Sequence, residues 1–174
     1  MEWMLLPLKR YAEFSGRSRR KEYWMYQLGL IILYTLIVVL ALAVGGFGII
    51  SGDPTALASA AGGAMIIMIL YFLVVLALFI PSLAVLVRRL HDTDRSGWWV
   101  LAPIAPYLLV FAGAGMMAAS PENAAAGGIL SLIGGLGTLA LGITLFVFTV
   151  LDGTRGPNRF GPDPKNPVSA EVFA

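Results

Sequence analysis

The sequence predicts an all-α, polytopic membrane protein with four transmembrane helices, and three observations carry that prediction. Hydrophobic residues make up 58% of the 174 positions and charged residues only 13%, with a mean hydropathy of +0.82, which no soluble domain matches. Residues 23–87 hold one charge, Asp53, and residues 96–151 hold one, Glu122. All twelve Lys and Arg fall in three short segments, 9–21, 88–95 and 155–165.

Each hydrophobic stretch is long enough for two spans, since about 18–20 apolar residues cross the hydrocarbon at 1.5 Å per residue. The four spans read as 25–50, 64–87, 97–119 and 127–151. A β-barrel would alternate polar and apolar residues, and these runs do not. A cleaved signal peptide is not expected, because a 24-residue segment with six Lys and Arg precedes a first run too long for a signal core. The chain therefore reads as one membrane domain over 1–174, a four-helix bundle. By the positive-inside rule all three basic segments are cytoplasmic, so both termini face in and two short loops face out. Cysteine is absent, which removes disulfides, thiolate ligands and cysteine nucleophiles.

Before the first span, 1–24 is a cytoplasmic, interfacial segment. Its first part interleaves Trp3, Leu5, Leu8, Tyr11 and Phe14 with Lys9, Arg10 and Glu13. That pattern suits a short helix lying on the inner leaflet or packed on the cytoplasmic ends of the spans. Pro7 fits a first helical turn. Ser15-Gly16 breaks the chain, and Ser18 is placed to cap the helix that becomes the first span. Tyr23, Trp24, Tyr26, Trp98 and Trp99 lie at interface depth.

Asp53-Pro54 and Ser120-Pro121-Glu122 are helix-start signals, so helices begin there and bend at Gly62-Gly63 and Gly127-Gly128. Pro81, Pro103 and Pro106 should kink or loosen their spans. The fourth span offers small residues at fourfold spacing, Gly127, Ser131, Gly135 and Gly134, Thr138, Gly142, suited to packing within the monomer or to a homo-oligomer. No span holds an ionisable residue at mid-depth, where transport sites usually have one.

Three polar motifs sit at membrane boundaries: FSGRSRRKEYW (14–24), RRLHDTDRSGWW (88–99) and DGTRGPNRFGPDP (152–164). In these motifs the chain resembles the bacterial domain-of-unknown-function 805 family of small inner-membrane proteins, over nearly its whole length. The resemblance implies the fold and an inner-membrane location. It brings no activity and no catalytic residues.

The motifs support two readings. In one, Glu22, His91, Asp92, Asp94, Asp152, Asn158 and Asp163 join the arginines in an ion-paired cytoplasmic clasp, because charges and irregular backbone near the membrane need partners. In the other, Arg17, Arg20, Arg88, Arg89, Arg95, Arg155 and Arg159 form a cationic pocket for an anionic phospholipid headgroup, since guanidinium forks match phosphate. Nine of the twelve basic residues are Arg. Asp94 or Ser96 could cap the third helix.

An enzyme is not expected, and no catalytic residues are assigned. His91 is the sole histidine, so a two-His metal site is excluded, and no cofactor or nucleotide motif occurs. Nucleic acid is disfavoured, because the basic residues hug the bilayer and are balanced by acids. The expected role is a structural, scaffold or anionic-lipid-interacting membrane component. The competing role is a small transporter or channel subunit acting as an oligomer, with Tyr34, Thr35, Ser82, Tyr107 and Thr144 as its mid-span polar groups.

Overall fold

The computed structural model describes residues 2–166, so the end of the expected tail, 167–174, lies outside the described residues. Five α-helices follow one another: α1 Glu2–Lys9, α2 Arg20–Ser51, α3 Pro54–Asp92, α4 Ile104–Ala119 and α5 Ala124–Val150. Short 3₁₀ turns, Gly97–Leu101 and Pro121–Asn123, lead into α4 and α5. Four segments are long and apolar enough to cross a membrane: Arg20–Ser51, Pro54–Asp92, Gly97–Ala119 and Pro121–Val150. Large side chains such as Leu42, Ile50, Phe111 and Leu132 stand exposed along them, the surface expected of helices in hydrocarbon.

Two compact units divide the chain. One holds the residues up to Glu13 together with Lys21–Val85, the other Phe14–Arg20 together with the chain from Leu86 onward.

In the first unit α2 and α3 run antiparallel. The Tyr26 hydroxyl lies 3.3 Å from Ser82 Oγ, Tyr34 meets Tyr71 edge-on at 5.5 Å, and a Cβ on Gly48 would collide with Ala60. Asp53 opens α3 as expected, its Oδ1 accepting from the Thr55 N–H at 2.9 Å, which satisfies an orphan donor of the first turn. Helix α3 is continuous through Gly62 and Gly63. Pro7 lies inside α1 and is buried, not in its first turn.

Pro81 sits inside α3 and cannot offer the N–H that Ala77 O would otherwise receive. The Tyr11 hydroxyl donates to that same Ala77 carbonyl. One turn's neighbour is served locally, as Ser82 Oγ donates to Leu78 O at 2.6 Å.

The second unit is built on the α4–α5 pair, where small residues allow close backbone approach. A Cβ on Gly134 would meet Pro106 O at 2.6 Å, and one on Gly127 would meet Gly113 O at 2.5 Å. Ser131 Oγ donates to Val110 O at 3.3 Å. The packed row is therefore Gly127, Ser131, Gly134 and Gly137, whereas Gly135 and Gly142 face open space. Pro103 and Pro106 start α4 instead of kinking it: Pro103 is its N-cap and Pro106 lies in its first turn, where a missing N–H costs nothing. Ser120 precedes the 3₁₀ turn but makes no side-chain cap.

Candidate functional site

The site begins at the end of α3. Helix C-termini leave their last carbonyls without intrahelical donors, and here every such carbonyl from Leu90 to Asp92 has a partner. The Arg95 N–H reaches Leu90 O at 2.9 Å and the Asp94 N–H reaches His91 O at 3.0 Å, the paired bonds of a Schellman cap. That cap needs a left-handed residue after the helix. Asp94 supplies it with φ 57°, as the only non-glycine of positive φ among the described residues. Ser96, not Asp94, caps the turn that follows, its Oγ accepting from the Trp98 N–H at 3.4 Å.

The tail answers the remaining carbonyls. The Thr154 N–H donates to Asp92 O at 2.8 Å, and Asn158 Nδ2 donates to His91 O at 2.9 Å. Asn158 and Gly161 exchange backbone bonds of 3.1 and 3.0 Å, closing a tight turn that Gly161 permits with φ 139°. That turn lays the Phe160 ring flat on His91, 3.9 Å between centroids at 3°. His91 Nδ1 lies 3.1 Å from Gly16 O, so the histidine is held on both sides as a packing element. Gly153 passes so close to Asp92 that a Cβ there would overlap the carboxylate.

At the centre, Asp92 is 3% exposed and takes two arginines. Arg17 Nε donates to its Oδ1 at 3.0 Å, and Arg89 Nη1 donates to its Oδ2. One carboxylate cannot balance two buried guanidinium groups by charge alone, and carbonyl oxygens supply the rest. Arg17 also donates to Gly156 O at 2.7 Å and Thr154 O at 2.6 Å. Arg89 donates to Thr149 O at 3.0 Å and to Leu151 O. Helix α5 has no basic residue in its own last turn. Arg89 brings positive charge to its C-terminus, and Arg20 adds a bond to Val150 O at 3.1 Å, both favourable to the helix dipole.

The remaining arginines are peripheral or differently engaged. Arg88 is fully buried, and its carbonyl accepts the Ser18 N–H at 3.0 Å. Ser18 does not cap α2, because its hydroxyl is buried without a hydrogen-bond partner. Arg95 stacks over the Phe148 ring at 3.8 Å. Arg159 pairs with Asp94 at 3.2 Å with both side chains about half exposed or more. Arg20 pairs with Asp152 at 2.5 Å, and Arg155 is exposed. Lys165 also bonds Asp152, at 3.2 Å. That bond, with Arg20 nearby, holds the Asp152 carboxyl below its ordinary range. Asp163 is likewise held low, by backbone N–H groups of Lys165 and Gly156.

The structure therefore brings Arg17, Arg89, His91, Asp92, Asn158 and Asp163 into one network within the second unit. Glu22 belongs to the first unit, where Arg10 approaches it at 4.0 Å. Thr154, Thr149, Gly153 and Phe160 complete the network and were not among the expected site residues. Their signal in the sequence is faint: two hydroxyls, one of them at the end of α5, and a close-approach glycine and one aromatic in a tail otherwise made of turn residues. Among the described residues no three His, Asp or Glu side chains converge as a metal site.

The family model described as a protein of unknown function, DUF805, matches residues 11–162, from Tyr11 to the tail turn. Inner membrane protein YhaI of Escherichia coli K12 is 36% identical over 165 residues, covering 95% of this chain and 97% of the relative. Inner membrane protein YhaH of the same strain is 36% identical over 165 residues, covering 95% and 98%. No solved structure matches the chain. With four membrane-crossing helices and this match over nearly its whole length, the chain belongs to the DUF805 family of inner-membrane proteins.

Proposed function

We propose that this protein is a non-enzymatic structural component of the inner membrane. In this reading both termini are cytoplasmic, a buried clasp fixes helix ends, and outlying arginines meet anionic phospholipid headgroups. The observation that carries the reading is the engagement of Asp92. Its two oxygens face Arg17 and Arg89, both of them buried, and backbone carbonyls take the other guanidinium donors. Groups so fully committed are suited to holding structure and not to binding a substrate. Headgroup contact then falls to Arg20, Arg155 and Arg159, which are exposed, beside the 78% exposed Trp98. The orientation rests on the confinement of every Lys and Arg to the three segments on one side of the predicted spans.

Native mass spectrometry of gently extracted protein tests the lipid contact. Replacing Arg155 and Arg159 together by Ala should reduce retained phosphatidylglycerol while leaving the unfolding midpoint nearly unchanged, since the one exposed ion pair lost is worth about 0–1 kcal/mol. Undiminished retention would contradict it. A fluorescent-protein fusion at the C-terminus should glow and an alkaline phosphatase fusion there should be inactive, and the opposite pair of results would overturn the orientation.

A further inference from the structure

The first unit contains an apolar cavity of about 250 Å³ between α1, α2 and α3. Met4, Leu5 and Leu8 of α1 form one wall, Gly29 and Leu33 of α2 another, and Leu78 of α3 a third. Its one polar side chain is Tyr26, whose hydroxyl already faces Ser82. Nothing in the lining offers a ligand a charged or polar handle, so the occupant must be hydrocarbon. Water finds no hydrogen-bond partners against such a lining, whereas hydrocarbon gains dispersion contacts there. The volume falls below the roughly 300–1,000 Å³ of ordinary small-molecule sites, so it suits a segment of one chain. Leu5 at 53% and Leu8 at 38% exposure line the cavity without closing it, which leaves a side entrance.

Charge and depth identify the kind of chain. Lys21 lies on α2 above the cavity, its Nζ 5.5 Å from the Trp3 ring beside Met4. Lys9 follows Leu8 on α1 and is exposed. Arg10 is engaged by Glu13 at 2.6 Å, whereas Lys21 is an exposed cation in the first turn of α2. Gly29 and Leu33 follow Lys21 by eight and twelve positions, or about 12 and 18 Å down a helix. A lipid phosphate at the level of Lys21 would thus send its acyl chain into the cavity.

We propose that this cavity seats one acyl chain of an anionic phospholipid, with its phosphate at the level of Lys21. Every residue used here belongs to the first unit, so the proposal goes beyond the clasp and does not rest on it.

The test uses the full chain in vesicles containing phosphatidylglycerol with a diazirine at the end of one acyl chain, with adducts mapped by peptide mass spectrometry. Adducts are expected at Met4, Leu33 and Leu78. They should be lost in Gly29→Leu, which fills the cavity, since a Cβ at Gly29 meets only the Met4 side chain, at 3.6 Å. Adducts at outward-facing Leu132 should persist. If Gly29→Leu does not fold, Leu5→Trp at the rim provides the same block. Labelling at Leu33 and Leu78 that survives both variants in folded protein would overturn the cavity site. Equal labelling by the phosphatidylcholine analogue would overturn the anionic headgroup. More efficient labelling by a diazirine fatty acid, or crosslinks between two copies through Met4, would overturn the phospholipid as occupant.

Discussion

Arg17 and Asp92 are 75 positions apart in the chain, yet Arg17 Nε lies 3.0 Å from Asp92 Oδ1, with both side chains almost entirely buried. Arg89 closes on the other oxygen from the same helix as Asp92. Breaking a buried ion pair by removing one partner costs about 3–5 kcal/mol, because the other charge is left uncompensated. Asp92→Ala strands two guanidinium groups and should destabilise the protein by at least that amount, measured by thermal unfolding in detergent. Conversion to Asn should also destabilise, because it removes the charge and turns an NH2 donor toward one of the two guanidinium donors. Equal stability of Asp92→Ala and wild type would remove the clasp from the account.

Gly153 is required for its missing side chain. Its φ is not in the left-handed region, so backbone strain is not the reason. A methyl group there would overlap the Asp92 carboxylate, and overpacking of this kind typically costs about 1–3 kcal/mol. Gly153→Ala should lower the unfolding midpoint and expose the tail to protease. Combining it with Asp92→Ala should add little, because the obstructed group has gone.

Asp94 separates conformation from charge. At φ 57° a side chain with a Cβ carries a cost of about 1–2 kcal/mol, relieved for Asp by local hydrogen bonding. The exposed pair with Arg159 is worth about 0–1 kcal/mol. Asp94→Ala should therefore destabilise, whereas Asp94→Gly should match or exceed wild-type stability. A circular-dichroism melt of the two variants decides the matter, and a larger loss in the Gly variant would count against the Schellman assignment.

Tyr11 and Pro81 form a testable couple. Tyr11→Phe should leave Ala77 O short of a donor, at about 1–3 kcal/mol. Replacing Pro81 by Ala restores the helical N–H, so Tyr11→Phe should cost much less in that background. A double-mutant cycle with no interaction energy would show that the hydroxyl does not serve the proline's lost bond.

Acid should loosen the tail through Asp163. Its folded-state pKa is depressed by N–H donors from Lys165 and Gly156, while an unfolded Asp titrates near about 3.9. The contribution is therefore full above that value and is lost as pH falls through the lower folded value. Tail protection from proteolysis should be flat across neutral pH and fall only in strong acid. In Asp163→Asn this acid-dependent part should vanish.

Hydrophobic run length and the clustering of charge made the four membrane-crossing segments legible, because both follow directly from the cost of polar groups in hydrocarbon. The helix start at Asp53 was equally readable, since its cap is local. Ser18 and Ser120 looked equivalent yet do not cap. At Ser18 the backbone N–H is held by Arg88 O, a contact fixed by tertiary structure. Pro103 and Pro106 were misplaced for a related reason: composition shows a proline in an apolar run, whereas the Gly97–Leu101 turn decides where the helix begins. The clasp's residue types were visible as three motifs. Their pairing was not, because choosing Asp92 over Asp94 or Asp152 depends on which carboxylate the end of α3 turns inward. The stacking of Phe160 on His91 left no spacing signal at all.

Amide hydrogen exchange of the wild-type protein and Asp92→Asn in lipid nanodiscs tests the clasp most directly. The amides of Thr154, Asn158 and Gly161 all donate hydrogen bonds and should be protected in the wild type. If the carboxylate holds the network together, protection over 152–164 collapses in Asp92→Asn while that of α4 and α5 remains. Unchanged protection of the tail would show that Arg17 and Arg89 do not act through Asp92, and the structural reading of the clasp would fail.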